Sequence, residues 1–318
     1  MRLTPTRKRW ISSAGMLVVA IVVVSAYQRM VRPPDLSTFY NGTMEDIFAR
    51  RAATPLLVYW GREILWAGFR LPWTYIDVLY VFSTLATWGV FLAMTTMLGA
   101  RRGWIAIAAY CFWLMVVGQR TPALFGRNFP EGWCAYDLTH PLIFVAGTWA
   151  MLQRRWWLVA AAVVLGTVNR ETIIVLAIGL IWARAWAPAA VAVVGWSAIK
   201  FGILHQVWPK SGLTYVMWGF NWNRLMSGPV TSLLTITLSA WWAYVFFKAD
   251  RRWRPVVLSI LAGYGGMFMA ADITESRAFN ELSVITALSI GALSEHLRSR
   301  WQGEDSPDDP APGKLATL

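Results

Sequence analysis

The stretch WWLVAAAVVLGTVNRETIIVLAIGLIWARAWA, residues 156–187, decides how this chain is folded. It is apolar over most of its length, but Asn169-Arg170-Glu171-Thr172 interrupts it at the centre. A buried Arg or Glu costs several kcal/mol unless it is paired. Adjacent residues on a helix do not face each other, so Arg170 and Glu171 cannot satisfy one another on a continuous helix. The stretch is therefore either one long helix with two buried charges or two short helices broken at Asn169-Arg170-Glu171.

The surrounding basic residues choose between these. Short loops rich in Lys and Arg face the cytoplasm. Two helices keep Arg101-Arg102, Arg154-Arg155, Arg184, the group Lys248, Arg251, Arg252 and Arg254, and Arg298 with Arg300 on one side. A single helix would turn the group at 248–254 outward. The sequence thus predicts two short helices here. Further apolar segments lie at 11–27, 73–98, 103–118, 139–152, 189–208, 230–247, 255–271 and 282–297. The predicted fold is all-α: a polytopic transmembrane helix bundle of about ten membrane segments, with both termini cytoplasmic. Several segments are shorter than the roughly 20 residues of a simple span, as happens where helices are broken or line a cavity. Segment 53–70 differs. Its apolar residues recur at helical spacing around Arg62 and Glu63, which predicts an interfacial helix on the outer side.

Composition agrees. Residues of the AVILMFWYC set make up 57% of the 318 residues and charged residues only 14%. A soluble domain has roughly 45–50% apolar and about 25% charged residues, so this chain could not cover a water-facing surface. Its 21 Trp suit membrane–water boundaries. The net charge of +12 then reports topology. Nucleic-acid binding would need a basic face on a soluble domain, and none is predicted. Two Cys give no disulfide framework. No P-loop or dinucleotide fingerprint is present. The organisation reads as a basic cytoplasmic N-terminus at 1–9, a membrane domain at 10–300 with its first outer loop at 28–52, and a disordered, acidic, Pro-rich cytoplasmic tail at 301–318. The first apolar run is longer than a signal-peptide core, so it reads as an uncleaved anchor.

On this topology, 11 of the 17 acidic residues lie on or near the outer side. They fall into clusters. The first outer loop holds Asp35, Glu45, Asp46, Arg50 and Arg51. Asp46 and Arg50 are one helical turn apart, an ordinary ion pair if nothing more. The second cluster is Asn169, Arg170 and Glu171, where Arg170 suits a carboxylate such as Asp137 or a phosphate. The third is Glu275, Arg277 and Glu281. Asp137 and His140 open the fourth segment. With no second His nearby, zinc is not predicted, and the sequence requires no cofactor; a divalent cation is compatible with the acids. Lys200 and His205 lie near Trp208, where snorkelling accounts for them.

A basic start, one span, an acidic outer loop, the step ARRAATPLL into an interfacial helix, VNRET in a short-helix hairpin and a late ESRAFNEL together resemble bacterial integral-membrane glycosyltransferases of the GT-C type. The likeness covers roughly residues 10–297 and is one of pattern and topology. It implies a plasma-membrane enzyme moving a sugar from a polyprenyl-phosphate donor to an acceptor on the outer face. In that family a carboxylate of the first outer loop is catalytic, which here falls on Asp46, Asp35 or Glu45. The remaining cluster residues would then bind substrate and phosphate. Partners implied are membrane lipids and the lipid-linked sugar. Two other readings fit the sequence: a transporter or flippase for a lipid-linked or anionic solute, and a non-catalytic subunit of a membrane complex.

Overall fold

The computed structural model describes residues 5–30, 53–114, 138–203, 253–270 and 283–292, with 222, 241 and 244 as single residues. Every regular element among them is helical. In chain order these are α1 (Pro5–Met30), α2 (Ala53–Phe69), α3 (Tyr75–Leu98), α4 (Ala100–Phe112), α5 (His140–Leu152) and α6 (Trp156–Thr167). Then come a 3-10 turn (Glu171–Ile174) leading into α7 (Val175–Trp182), α8 (Trp186–Ser197) running into a π turn (Ala198–Ile203), α9 (Arg254–Ala270) and α10 (Ser283–Ala292). The interfacial segment anticipated at 53–70 is the helix Ala53–Phe69. Of the segment anticipated at 230–247, only Trp241 and Tyr244 are among the described residues.

The deciding stretch is two helices. α6 stops at Thr167 and the next helical turn starts at Glu171. Both Asn169 N and Arg170 N donate to the Gly166 carbonyl, which closes α6, and Arg170 takes extended backbone. Two helices, not ten, are long and apolar enough to cross a membrane among the described residues: Tyr75–Leu98, and Trp186–Ile203. α5, α6 and α7 are shorter. Thirteen residues of α5 rise only about 20 Å, against roughly 30 Å of hydrocarbon in a bilayer.

Local signals explain the ends. Thr74 and Asp77 form a capping box at the start of α3. Pro141 in the first turn of α5 has its φ preset for a helix. Gly99, at φ 78°, ends α3 and begins α4. α4 then packs so closely on α3 that a Cβ on Gly103 would lie 2.5 Å from the Thr95 Cα.

The elements α5–α8 run back and forth, and α5, α6 and α7 are each about half the length of α3 or less. Small residues set their spacing: Gly147 of α5 receives Leu176 of α7, Gly179 of α7 receives Met151 of α5, and Gly195 of α8 receives Val164 of α6. Leu142 packs on Gly89 of α3. The start of α5 therefore lies near the middle of α3, about 20 Å from Tyr75 and about 14 Å from Leu98. The outward faces are apolar. Leu165, Val194, Trp186, Trp157 and Trp182 are among the most exposed side chains, while Ser83, Thr87 and Thr148 are fully buried. On α2, too, Leu57, Trp60 and Ile64 face outward, and Arg62 turns back over the Tyr75 ring at 5.3 Å.

The far ends of α5 and α7 are closed by two turns of one design. In the first, Arg154 N donates to Met151 O and Arg155 N to Ala150 O; in the second, Arg184 N donates to Ile181 O and Ala185 N to Leu180 O. These are Schellman caps, which place one residue in the left-handed region, most often Gly. Here it is Arg, at φ 55° for Arg154 and 58° for Arg184. A non-Gly residue there costs about 1–2 kcal/mol. Cations suit a helix C-terminus, which offsets part of this. Allowing for the greater unfolded-state freedom of Gly, Arg184→Gly is expected to raise stability by about 0.5–1 kcal/mol in detergent. Arg184→Val, β-branched at positive φ, is expected to lower it by more than about 1 kcal/mol. Thermal unfolding of both variants in one detergent checks the sign of each.

Candidate functional site

The break at 168–170 is built around Asn169, which is 2% exposed. Its Oδ1 accepts from Thr54 Oγ1 at 2.7 Å and from the Thr54 backbone N at 3.2 Å. Thr54 has one hydroxyl proton, and it goes to Asn169. Thr139 Oγ1, 2.7 Å from Thr54 Oγ1, must therefore donate to it. With Oδ1 occupied as an acceptor, Asn169 donates from Nδ2 to His140 Nδ1 at 3.2 Å. The His140 ring is then neutral and carries its proton on Nε2. The chain of bonds runs in one direction, from Thr139 through Thr54 and Asn169 to His140.

His140 is fully buried and stands edge-on to Phe144, with ring centroids 5.1 Å apart. Arg170, next to Asn169, is 4% exposed. Glu171 turns the other way. Its carboxylate lies 3.8 Å from Lys200 Nζ, and Lys200 lies over the Trp196 ring at 5.5 Å. Trp196 Nε1 donates to the Glu171 carbonyl at 2.8 Å, which ties α8 to the 3-10 turn.

Three helix N-termini meet here. α2 begins at Ala53, α5 at His140, and the turn leading into α7 at Glu171. Each brings the positive end of a helix dipole, although Thr54 N is bonded to Asn169, Leu142 N to Thr139 O and Ile173 N to Arg170 O, and Pro55 and Pro141 carry no N–H. α6 ends at the same place, but its Gly166 carbonyl is already used by Asn169 N and Arg170 N. The local field therefore favours an anion, with the Arg170 guanidinium already in place. The neutral His140 adds a ring N–H of a kind that can donate to an oxygen.

Of the residues singled out from sequence, the structure brings His140, Asn169, Arg170 and Glu171 to one region. Asp35, Glu45, Asp46, Arg50, Arg51, Asp137, Glu275, Arg277 and Glu281 lie outside the described residues. Thr54, Thr139 and Trp196 belong to the region and were not singled out, and Lys200, attributed to snorkelling, lies beside Glu171 there. Thr54 before Pro55 at a helix start is a capping signal that could have drawn attention. The Lys200 side chain is 14% exposed and turned to Glu171. A lone Lys in an apolar helix is itself a functional flag. Among the described residues, no group of three or more His, Cys, Asp or Glu could hold a metal ion.

No family model, curated protein or solved structure matches this chain.

The hydrogen-bond chain makes a stability prediction. Asn169→Ala strips the acceptor from two Thr54 donors and the donor from His140, so it is expected to cost about 2–4 kcal/mol. Thr167→Val is the control. Thr167 is equally buried but bonds only to Val163 O on its own helix, so its loss is expected to cost under about 1 kcal/mol. Paired thermal or denaturant unfolding curves separate the two.

Proposed function

We propose that this chain is an integral membrane protein whose site at the 168–171 break binds the phosphate of a lipid-linked substrate, and that it transfers a sugar from a polyprenyl-phosphate donor. The observation that carries the proposal is the meeting of three helix N-termini on Asn169, beside the buried Arg170. Such a constellation is costly to build in an apolar bundle and suits an oxyanion.

Membrane embedding is supported by the apolar outward faces, the buried hydroxyls and the two helices of spanning length. The basic turns at Arg154, Arg155 and Arg184 are at the opposite ends of α5–α8 from the site. With those turns on the cytoplasmic side, the site lies toward the outer side of them, near mid-depth. A lipid phosphate at that depth would be held by Arg170 and the helix N-termini. His140 would donate through Nε2. A carboxylate from the first outer loop, Asp46 or Asp35, would deprotonate the acceptor hydroxyl, and the phosphate would leave from the sugar C1 with inversion.

Transport is the second reading, and the depth of the site favours it. Transporters hold anions near the midplane at the N-termini of broken helices. The same preparation distinguishes the two. Protein in proteoliposomes is given a polyprenyl-phosphate sugar and an acceptor extract, and release of polyprenyl monophosphate is followed. The expected result is release by the wild type, and a loss of at least about 100-fold in Asp46→Asn or Asp35→Asn with lipid binding retained. Arg170→Lys is expected to weaken binding of polyprenyl monophosphate at least about tenfold, because it loses the planar fork. Movement of intact donor across the bilayer with no release would replace the enzyme by a transporter. Absence of phosphate binding would remove both.

A further inference from the structure

The turns at 153–155 and 183–185 are one structure built twice. Gln153 N, Arg154 N and Arg155 N donate to the carbonyls of Trp149, Met151 and Ala150; Ala183 N, Arg184 N and Ala185 N donate to those of Gly179, Ile181 and Leu180. The next residue leaves the turn at φ −87°, ψ 70° for Arg155 and φ −84°, ψ 66° for Ala185. The helix that follows has 12 residues and opens on Trp in both cases. The flanking side chains differ: Gln153 is matched by Ala183, and Arg155 by Ala185. What the turns share is Trp156 with Trp186 and, at the left-handed position, Arg154 with Arg184.

Gly is the residue this position favours, and an L side chain is strained there. Positive charge alone does not account for the choice. A cation one residue earlier, at 153 or 183, would serve the helix C-terminus and the basic loop as well, and there φ is −84° and −72°. Strain kept at two equivalent positions points to a task for the side chain. That task lies outside the protein. Among the described residues, neither Arg154 nor Arg184 has a side-chain hydrogen bond or ion pair, and both are exposed. The turns adjoin, because α5 and α7 run parallel in contact through Leu176 on Gly147 and Met151 on Gly179. Trp157 follows Arg154, and Trp182 and Trp186 stand on either side of Arg184, all three well exposed. Indole rings mark the membrane–water boundary, the depth at which lipid phosphates lie.

We infer that the two turns form a binding site for the phosphate headgroup of an anionic membrane lipid, with the Arg154 and Arg184 guanidinium groups taking its oxygens. Guanidinium suits phosphate through paired donors, and basic pockets between helix ends are where anionic headgroups are held. The inference needs a membrane but not the sugar-transfer reading, and it concerns the opposite ends of α5 and α7 from the break.

Affinity for fluorescent phosphatidylglycerol and phosphatidylcholine is measured on the full chain in neutral detergent. Melting temperature is measured in phosphatidylcholine nanodiscs with and without phosphatidylglycerol. The wild type is expected to prefer phosphatidylglycerol at least about tenfold, at about fivefold per arginine. Arg154→Gly combined with Arg184→Gly is expected to lose that preference. It is expected to melt at or above wild type in phosphatidylcholine, where the strain is relieved, and below wild type once phosphatidylglycerol is added. The deciding variant moves each charge by one residue: Gln153→Arg with Arg154→Gly, and Ala183→Arg with Arg184→Gly. Net charge is unchanged, yet phosphatidylglycerol binding is expected to fall at least about threefold. Binding equal to wild type in that variant would leave the arginines as topology markers and overturn the inference, as would a wild type that does not distinguish the two lipids. Loss in Arg170→Lys rather than in the glycine variants would put the lipid at the break. A preference seen only after removal of residues 301–318 would give the turns to the acidic tail. Either result also overturns it.

Discussion

The Asn169 side chain is the constraint on which the rest of this structure depends. It is bonded to Thr54, 115 residues away, and to His140, 29 residues away. Those bonds join the start of α2, the start of α5 and the break between α6 and α7. Without them the polar break would be exposed backbone inside an apolar bundle, and unsatisfied backbone groups are costly there. With them, the break becomes a meeting point of helix N-termini. The short lengths of α5, α6 and α7 follow from this. Each turns back at the break or at an arginine-capped turn rather than crossing the full height of α3.

Packing enforces the same geometry. The glycines of α5, α7 and α8 let neighbouring helices approach until side chains fill what a Cβ would occupy. Where hydrophobic association is weak because the surroundings are as apolar as the protein, close contact of this kind is a main source of cohesion. It also makes the layer stiff, so the polar groups at its end keep their spacing. That stiffness is what the proposed anion site would need, because donors already in place spend nothing on reorganisation when charge arrives.

Much of this was legible in the sequence. The helix limits followed from sharp changes in composition, and the structure adds local signals at Thr74 with Asp77 and at Pro141. The break at 168–170 was legible because Asn169, Arg170 and Glu171 cannot all lie within a continuous apolar helix. The hub was not. Nothing local marks Asn169 above Arg170, since its importance comes from Thr54 and Thr139, which look like ordinary helix starts. The partner of Lys200 was not legible for a related reason. The neighbouring Trp196 suits an interfacial Lys, and only the fold brings Glu171 across from another element. Position along a helix predicts which face a residue shares. It does not predict the partner from another helix.

The proposed function requires the 168–171 break and the arginine caps to face opposite sides of one membrane. Cysteine accessibility measures this most directly. With Cys111 and Cys134 replaced by Ser, single cysteines are placed at Thr172, beside the site, and at Gln153, in the exposed turn after α5. Intact cells or sealed vesicles are treated with a membrane-impermeant thiol reagent. The account predicts labelling at position 172 from the outer side only and at position 153 from the cytoplasmic side only. Labelling of both positions from the same side would contradict it.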